Sequence, residues 1–486
     1  MSWSDLGTVA PVVAAILVAA AILIVDLAVP GRREPVLATA FAGLAVVAGI
    51  VLLQAGSSQT AFGGAYSLDN LTVFLDLLFV AIAALTILFA VDYLEPRDLP
   101  IAEFSAVLVF AVTGAMLIAG STDLLLLFIA LELMVLPGYM LAGYARRDPY
   151  ATEGAIKYFL LGSFSSAILL FGLAYVWGLT GSTRVDAVAA ALATDVAKGT
   201  VPAGLAMGLA FMSAGVAFKM AAVPFHFWTP DAYQGSPTPV TAYLSVGPKV
   251  GAFAIALRLF VGALAPVKAD WLPVVIVLAA ATMTLGNLIA VTQDNVKRML
   301  AYSSIAHTGY ILVGLAAYAG GQASGLSAIL FYGAAYTFMN MGAFAVIAAL
   351  QRKPGVTSQI STFAGLGRRD PWLGALMFVF LLSLTGIPPL AGFWAKAYVI
   401  VAALQAGGWL TALAVLAMVN AAAAAFYYLR VVVYMYMRDP ADEEPACNPG
   451  LLFRTGLAVT GIVTLIFGLF PAILTAATNA ANVFHG

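Results

Sequence analysis

Three charged residues lie in the middle of long apolar segments, where few ionisable groups occur without a purpose. Glu132 lies in LFIALELMVLPGYML, and Lys219 and Lys249 lie in apolar segments of similar length. A charge at the centre of a bilayer costs about 3 kcal/mol on insertion scales, so these residues should face the protein interior and pair or become hydrated. A nearby carboxylate stabilises a protonated lysine, and its withdrawal favours proton release. A Glu132–Lys219 pair is therefore predicted to act as a switchable proton carrier, the alternative being a purely structural ion pair.

Two apolar segments are interrupted by proline close to a lysine. Lys219 precedes Pro224 by five residues, and Lys396 follows Pro388 and Pro389 in TGIPPLAGFWAK. Proline removes a backbone donor and frees a carbonyl one turn earlier, so these helices are predicted to break where another group satisfies the backbone. Gly and Pro are common in membrane helices, which is the alternative explanation. The lysine beside each break favours a functional one.

Another lysine and a histidine have polar surroundings. Lys249 follows Pro248 in SVGPKVGAF, where carbonyls loosened by proline leave space for water or a side chain. His307 lies in AYSSIAHTGY and is surrounded by the hydroxyl groups of Ser303, Ser304, Thr308 and Tyr310. A lone helical histidine is often a satisfied structural residue, and that role and a proton-relay role both stay open.

The composition places these segments in a bilayer. Of the 486 residues, 63% are hydrophobic and 9% are charged, against roughly 25% charged residues in soluble proteins. A spanning helix needs about 20 apolar residues, and this rule predicts an all-α polytopic membrane protein of about fourteen transmembrane helices. The predicted spans start near Val9, Val36, Asn70, Glu103, Thr122, Ala155, Ala203, Thr238, Trp271, Met299, Gly325, Trp372, Trp409 and Leu452.

The distribution of Lys and Arg between the connections predicts the orientation, because positive residues accumulate on the cytoplasmic side. The even-numbered connections hold only Arg184, Lys198 and Lys268. The odd-numbered ones hold Arg32, Arg33, Arg97, Arg146, Arg147, Lys297, Arg298, Arg352, Lys353, Arg368, Arg369, Arg438 and Arg454. The odd connections are therefore predicted to face the cytoplasm of a bacterial inner (plasma) membrane, with both termini external. The longest connection, residues 180–202, is predicted to form an amphipathic surface helix.

The interrupted spans, seven and twelve, are five spans apart. Paired interrupted spans indicate an inverted-repeat transporter, and a repeat with an odd number of spans must invert. Lys219 and Lys396 would then be pseudo-symmetric partners. The predicted units are 1–102 with spans one to three, 103–263 as the first repeat, 271–437 as the second repeat, and 452–478 as the last span.

The remaining charges and the single cysteine have simpler interpretations. Lys157, Arg258 and Arg430 lie nearer span ends, from which long side chains reach the headgroups. Cys447 alone cannot form an internal disulfide, a zinc site or an iron–sulfur cage. The sequence therefore predicts no metal site in this chain.

Three blocks of the sequence resemble a known family. Residues 219–249 (KMAAVPFHFWTPDAYQGSPTPVTAYLSVGPK), 294–310 (DNVKRMLAYSSIAHTGY) and 386–396 (GIPPLAGFWAK) are similar to the antiporter-like subunits of proton-pumping NADH:quinone oxidoreductase (complex I), and in part to Mrp-type cation/proton antiporters. GIPPLAGFWAKAYV and AFYYLRVVVYMY resemble the N-type subunits, whereas M-type subunits usually have Glu at the position of Lys396.

The resemblance implies a set of proton-transfer residues. The family's key groups match Glu132, Lys219, Lys249, His307 and Lys396, with a weaker match at Glu103, whereas His226 is expected to be a packing residue. It also implies a place in the membrane arm between the K-type and M-type subunits, with NAD, quinone, FMN and iron–sulfur chemistry in other chains and no cofactor here.

Two other classes of function are the alternatives to proton translocation in a respiratory complex. A stand-alone antiporter exchanging protons for Na⁺ or K⁺ should add acids within spans to coordinate the cation, and none is predicted between Glu132 and the C-terminus. A purely structural membrane subunit would not need charges at Glu132, Lys219 and Lys249. The sequence therefore favours proton translocation within a hetero-oligomeric respiratory complex.

Overall fold

The protein is almost entirely helical in the computed structural model, which describes residues 2–352, 355–439 and 447–483. Lys353, one of the basic residues used to predict the orientation, lies outside the described residues. The α-helices of the described part are α1 (Trp3–Thr8), α2 (Ala10–Ala28), α3 (Arg33–Leu53), α4 (Asn70–Leu94), α5 (Ile101–Gly120), α6 (Leu124–Ala142), α7 (Pro149–Thr180), α8 (Val185–Lys198), α9 (Gly204–Met220), α10 (Trp228–Gly235), α11 (Thr238–Ala256), α12 (Lys268–Val291), α13 (Val296–Ala319), α14 (Ser324–Leu350), α15 (Leu366–Arg369), α16 (Pro371–Thr385), α17 (Ala391–Ala406), α18 (Trp409–Met437), α19 (Leu451–Leu469) and α20 (Pro471–Ala480).

Twelve helices of the described chain are long and apolar enough to cross a membrane. They are α2 to α7, α11 to α14, α18 and α19, with short extensions at some ends. The shorter apolar helices α9, α16 and α17 occupy the places of the predicted spans seven and twelve. The prediction of a polytopic, all-α membrane protein is confirmed. The count of fourteen spans and the inverted repeats stay predictions.

The predicted seventh span is interrupted where its prolines begin. Helix α9 ends at Met220, and Ala221 caps it with a left-handed backbone at φ 60°. Non-helical residues then lead to α10. The freed backbone groups find partners, since the Trp228 indole donates to the Phe218 carbonyl at 3.1 Å and Val223 N donates to the Thr282 hydroxyl at 3.0 Å. The break is therefore held by neighbouring elements, as buried irregular backbone in a membrane must be.

The predicted twelfth span divides into α16 and α17. Helix α16 ends at Thr385, and Gly386 adopts φ 94°, a conformation that strongly favours glycine. The loop with Pro388 and Pro389 follows, and the Gly392 N–H at the start of α17 donates to the Ser383 hydroxyl at 3.1 Å. Both predicted interruptions are therefore present in the structure.

Two small elements lie between the long helices. Residues Gln59–Ala61 and Tyr66–Leu68 form an antiparallel two-stranded hairpin that was not predicted. Helix α8 is the predicted surface helix, and it buries Val188 and Leu192 while its charged residues stay exposed or half-exposed. A π-helical turn, Leu257–Ala263, follows α11 and packs against α8.

Two basic residues differ from their predicted places. Arg258, expected to reach the headgroups, is only 4% exposed and forms an ion pair with Asp69 at 3.0 Å. Lys297, expected in a connection, lies in the first turn of α13 and is buried. The helix starts earlier than its apolar run indicates, because the Asn295 side chain accepts from Arg298 N and caps it.

Candidate functional site

The ammonium group of Lys219 lies between α9 and α7. Lys219 is buried, and its Nζ donates to the Ser166 hydroxyl at 2.8 Å and to the Gly162 carbonyl at 3.2 Å. Both partners are neutral and belong to α7. Because Lys219 is the second-last residue of α9, its side chain sits beside the broken end of that helix.

Lys249 is connected to the same break through one hydroxyl group. Its Nζ donates to the Ser304 carbonyl at 2.6 Å and to the Thr308 hydroxyl at 3.2 Å. The Thr308 hydroxyl in turn donates at 2.8 Å to the Met220 carbonyl, which closes α9 next to Lys219. Lys249 is thus linked through Thr308 to the end of α9, whereas the Lys219 ammonium group bonds to α7.

A small cavity lies beside Lys249. Its volume is about 10 Å³, and Lys249, Ser304, His307 and Thr308 contribute its polar lining. A cavity of this size is close to the lower limit for a single water molecule. The cavity surface is mostly apolar, and Lys249 and His307 both border it.

His307 is held by phenol groups from two other helices. Its Nδ1 lies 2.7 Å from the Tyr332 hydroxyl of α14, and its Nε2 lies 3.2 Å from the Tyr428 hydroxyl of α18. The Tyr428 hydroxyl also contacts the hydroxyl of Ser303. A histidine whose two ring nitrogens both face hydroxyl groups can take a proton on one nitrogen and release one from the other.

The ammonium group of Lys396 binds the end of α16. Its Nζ donates to the Leu384 and Thr385 carbonyls at 2.9 Å and 2.8 Å, the last two residues before the break. These carbonyls form the negative end of a helix dipole, which stabilises a cation. The same group lies 5.0 Å from the Tyr310 ring centroid, and the Tyr310 and His307 rings are 5.9 Å apart. Tyr310 therefore lies between the histidine and the last lysine.

Glu132 is not in contact with Lys219, in contrast to the predicted ion pair. The carboxylate forms no ion pair within 4.0 Å in the described part of the chain, and its Oε1 is buried without a hydrogen-bond partner. Tyr139 lies two turns further along α6. The rings of Tyr139 and Tyr158 are 4.5 Å apart and fill the space between α6 and α7. The pair is separated, because α7 holds the ammonium group.

Sequence reasoning missed two buried charges and one half-buried acid. Lys297 is 3% exposed and donates to the Ser236 carbonyl at 2.6 Å, at the junction between α10 and α11. Asp231 of α10 accepts from Lys157 and from Arg298, each at 2.7 Å, so an acid does occur within the interrupted seventh span. Asp76 of α4 is fully buried. The capping signal at Asn295 would have located Lys297, and DNLTVFLDLLF contains Asp76 six residues inside a span.

The remaining predicted residues have structural roles or surface positions. Glu103 lies exposed in the first turn of α5. His226 is mostly buried between α9 and α10, and its ring stacks on Phe227 at 4.7 Å.

On α8, the hydrogen bond from Arg184 lowers the pKa of Asp186 below its usual value. Among the described residues, no group of three or more His, Cys, Asp or Glu side chains could hold a metal ion.

The buried groups together form one row across the interior. Lys219, Lys249 and Lys396 are 4%, 3% and 5% exposed, and hydroxyl, imidazole and carbonyl groups fill the intervals between them. Of these groups, the lysines, the imidazole and the hydroxyl groups can carry a proton, whereas the carbonyl at the end of α9 can only accept a hydrogen bond. A polytopic helical protein with two interrupted helices and a lysine beside each has the fold of an antiporter-like membrane protein.

Comparisons with known proteins agree with that class. The family of NADH:quinone oxidoreductase and Mrp antiporter transmembrane proteins matches residues 121–420. NADH-quinone oxidoreductase subunit N from Trichlorobacter lovleyi is 42% identical over 97% of this chain and 95% of its own length. A chain of respiratory complex I from Thermus thermophilus, solved with bound aureothin, is 32% identical with a TM-score of 0.79 over 97% of this chain and 99% of its own.

A third similarity concerns the fold alone. A chain of the Mrp complex from Dietzia sp. is 23% identical with a TM-score of 0.84, covering 99% of this chain and 97% of its own.

This chain belongs to the NADH:quinone oxidoreductase/Mrp antiporter family, and within it to the N subunits of NADH-quinone oxidoreductase. The family prediction from the three sequence blocks is confirmed.

Proposed function

We propose that this chain translocates protons in the membrane arm of NADH:quinone oxidoreductase through Glu132, Lys219, Lys249, His307 and Lys396. One observation carries the proposal. Lys249 hydrogen-bonds to Thr308, which binds the carbonyl at the broken end of α9, and the same lysine shares a cavity with His307. Lys249 thereby stands between the two halves of the row.

The proposed path begins on the cytoplasmic side. A proton reaches Lys219 or Lys249, moves through the cavity to His307, and continues past Tyr310 to Lys396. Lys396 lies beyond its break, on a span predicted to run from the cytoplasm to the exterior, so release is placed on the external side. The charge of Glu132, acting on Lys219 without contact, is the control element through which a neighbouring subunit changes the first lysine.

The pairing of helices supports the proposed inverted repeats, 103–263 and 271–437. Helix α9 packs on α7 and α11, as α16 packs on α14 and α18, and α5 packs on α6 as α12 packs on α13. Lys219 and Lys396 occupy the interrupted helix of each unit. Residues 1–102 and 452–478 would then be additions to the pair of repeats.

The proposal includes surroundings and orientation. Other membrane subunits, of the K and M types, are the proposed neighbours, and FMN, the iron–sulfur clusters and the NADH and quinone chemistry are assigned to other chains. The complex is assigned to a bacterial plasma membrane with both termini external. A reporter inserted after Arg368 should be cytoplasmic and one after Arg184 external, and the same side for both would overturn this orientation.

A substitution at Lys249 tests the path. Lys249→Met keeps an unbranched buried side chain but removes the group that binds a proton. In the purified complex reconstituted into vesicles, we expect proton pumping to fall roughly a hundredfold along this path. Lys198→Met, at the exposed end of α8, is the matched control and should pump normally. Normal pumping by an assembled Lys249→Met complex would refute the path.

A further inference from the structure

A buried amide joins three helices close to His307. Asn287 of α12 is 1% exposed, and its side-chain nitrogen donates to the Tyr310 hydroxyl of α13 at 3.2 Å and to the side-chain oxygen of Asn420, on α18, at 3.3 Å. The side-chain oxygen of Asn287 accepts from the Tyr427 hydroxyl of α18 at 2.9 Å. One side chain on α12 is therefore hydrogen-bonded to both α13 and α18.

Neighbouring carbonyl groups fix the orientation of each amide. The Asn287 nitrogen lies 2.8 Å from the Met283 carbonyl. In the same way, the Asn420 nitrogen lies 3.0 Å from the Leu416 carbonyl. A carbonyl oxygen can only accept a hydrogen bond, so the amide atom that faces it must be the nitrogen. The Asn287 oxygen therefore faces the Tyr427 hydroxyl, which donates to it.

Glycines hold α12 and α13 together at the level of this amide. A methyl group on Gly286, next to Asn287, would lie 2.7 Å from the backbone nitrogen of Ala306. One on Gly309 would lie 2.5 Å from the backbone nitrogen of Met283. Atoms cannot come so close without displacing the backbone. Helices α12 and α13 therefore meet backbone to backbone, and the Asn287 amide bonds α18 to this pair.

The bonded segment of α18 contacts His307. Tyr428 follows Tyr427 directly, and the Tyr428 hydroxyl lies 3.2 Å from Nε2 of His307. The rings of Tyr427 and Tyr428 are 4.3 Å apart. Tyr310, the partner of Asn287 on α13, lies about one turn after His307. Asn287 is therefore bonded to a residue close to each side of the contact between His307 and Tyr428.

We propose that Asn287 is a positioning residue for proton transfer at His307, because its bonds keep the Tyr428 hydroxyl of α18 within reach of Nε2. The distance of 3.2 Å is at the long end of the hydrogen-bond range, so a small outward displacement of α18 would break this contact. The side-chain amide of Asn287 has no ionisable proton, so it acts only through its partners. The inference rests on the proposed function of His307 as a member of the row.

The protonation of His307 depends on every ionisable group that faces it. The groups are Lys249 and Tyr336 at the cavity, Tyr332 at Nδ1, Tyr428 at Nε2, Tyr310 one turn away and, beyond Tyr310, Lys396. Among them, only Tyr428 belongs to α18. A displaced α18 should therefore change the proton affinity of His307 through this one contact.

Removal of the Tyr427 hydroxyl tests the inference with the smallest change. Tyr427→Phe keeps the ring and deletes the donor to the Asn287 oxygen. We expect the initial rate of proton pumping by the assembled complex in vesicles to fall about tenfold, since misplacing reacting groups by about 1 Å can cost up to a hundredfold. Asn287→Leu deletes all bonds of the amide and should pump still less. Tyr66→Phe is the matched control and should pump normally, because its hydroxyl is equally buried and has no hydrogen-bond partner in the described structure.

A second substitution separates a positioning residue from a structural one. Tyr428→Phe removes the hydroxyl that contacts His307. If Tyr427 acts through that contact, adding Tyr427→Phe to Tyr428→Phe should lower pumping no further. The pH at which pumping is half-maximal should also shift in the same direction in both single variants, whereas a purely structural loss lowers the rate without shifting that pH.

Two results would overturn the inference. One is normal pumping with an unshifted pH profile in Tyr427→Phe, and the other is a double variant in which the two losses multiply. Both leave the row itself intact, because Lys249→Met tests the row separately, and normal pumping by that variant would refute the proposed function instead. If Asn287→Leu does not assemble, Tyr427→Phe and the double variant decide.

Discussion

In α9 the lysine comes before the break and binds a neighbouring helix, whereas in α17 the lysine comes after the break and binds its own span. Lys219 donates to Ser166 and Gly162 of α7, and Lys396 donates to the carbonyls that end α16. The partners of Lys219 move whenever α7 moves relative to α9. The partners of Lys396 are fixed by the same turn that positions the lysine.

The two lysines therefore differ in how far their surroundings can change their proton affinity. In the proposed mechanism the charge of Glu132 acts on Lys219 without contact, so the proton affinity of Lys219 would change with displacements of α6 and α7. Lys396 is surrounded by carbonyls and an aromatic ring and has no acid among its hydrogen-bond partners in the described structure. We therefore interpret Lys219, at the first break, as the lysine whose proton affinity changes. Lys396, at the second break, is a lysine whose surroundings stay fixed.

The largest effect on proton pumping is expected at Lys396, beside the second break. Lys396→Ala removes the only lysine beside the second break, so proton pumping should fall roughly a hundredfold along the row. Lys396→Glu should retain more pumping than Lys396→Ala, because a carboxyl group can still bind and release a proton. Initial rates in reconstituted vesicles measure both. Lys268→Ala, at the exposed start of α12, is the control.

The pumping rates are interpreted only for variants whose complex assembles. Each variant is first compared with the unmodified complex for subunit content on native gels, because a buried lysine can also be needed for folding. If an assembled Lys396→Ala complex pumps as well as the unmodified one, protons do not pass through Lys396.

A smaller effect, on the pH dependence of pumping, is expected at Lys219. Ser166→Ala removes one of the two bonds to the Lys219 ammonium group, which weakens the protonated state by about 1.5 kcal/mol, or roughly tenfold in the proton-binding equilibrium. The pH at which pumping is half-maximal should therefore shift to lower values. Ser165→Ala is the matched control, since its hydroxyl bonds only weakly to Gly215 at 3.4 Å. Equal pH profiles for the two variants would contradict the assignment.

The smallest effect is expected on α8, at the periphery. Arg184 lowers the pKa of Asp186, so this pair stabilises the fold above the unfolded pKa of the acid, and the contribution is lost as pH falls through the lower, folded value. Both side chains are largely exposed, at 44% and 69%, and solvent screens the pair. Arg184→Gln should leave pumping unchanged and slightly flatten the acid side of a plot of unfolding temperature against pH. Loss of pumping would show that charges outside the row contribute.

The sequence predicts the helices and their breaks well, for physical reasons. A long apolar run must be helical in a membrane, and Pro224, Pro388 and Pro389 cannot continue one. The same reasoning places Lys219, Lys249 and Lys396 inside, because a central charge cannot face lipid. Local rules are sufficient for these features, since each depends only on neighbouring residues.

Partners across helices could not be predicted in the same way. Whether Glu132 meets Lys219 depends on the rotation of α6 and on Ser166 of α7, which competes for the ammonium group. Arg258 was misplaced because its partner, Asp69, is 189 residues away in sequence. Asp76 escaped notice because a single acid near the start of an apolar run is usually assigned to the headgroup region.

Glu132 is proposed to control the row of buried lysines without contacting Lys219. The measurement is the number of protons translocated per NADH oxidised by the assembled complex with Glu132→Gln, which keeps the shape of the side chain and removes its charge. Glu153→Gln, whose acid binds Lys157 near the surface, is the control. We expect a strongly reduced ratio for Glu132→Gln and an unchanged one for Glu153→Gln. An unchanged ratio in Glu132→Gln would contradict the proposed control.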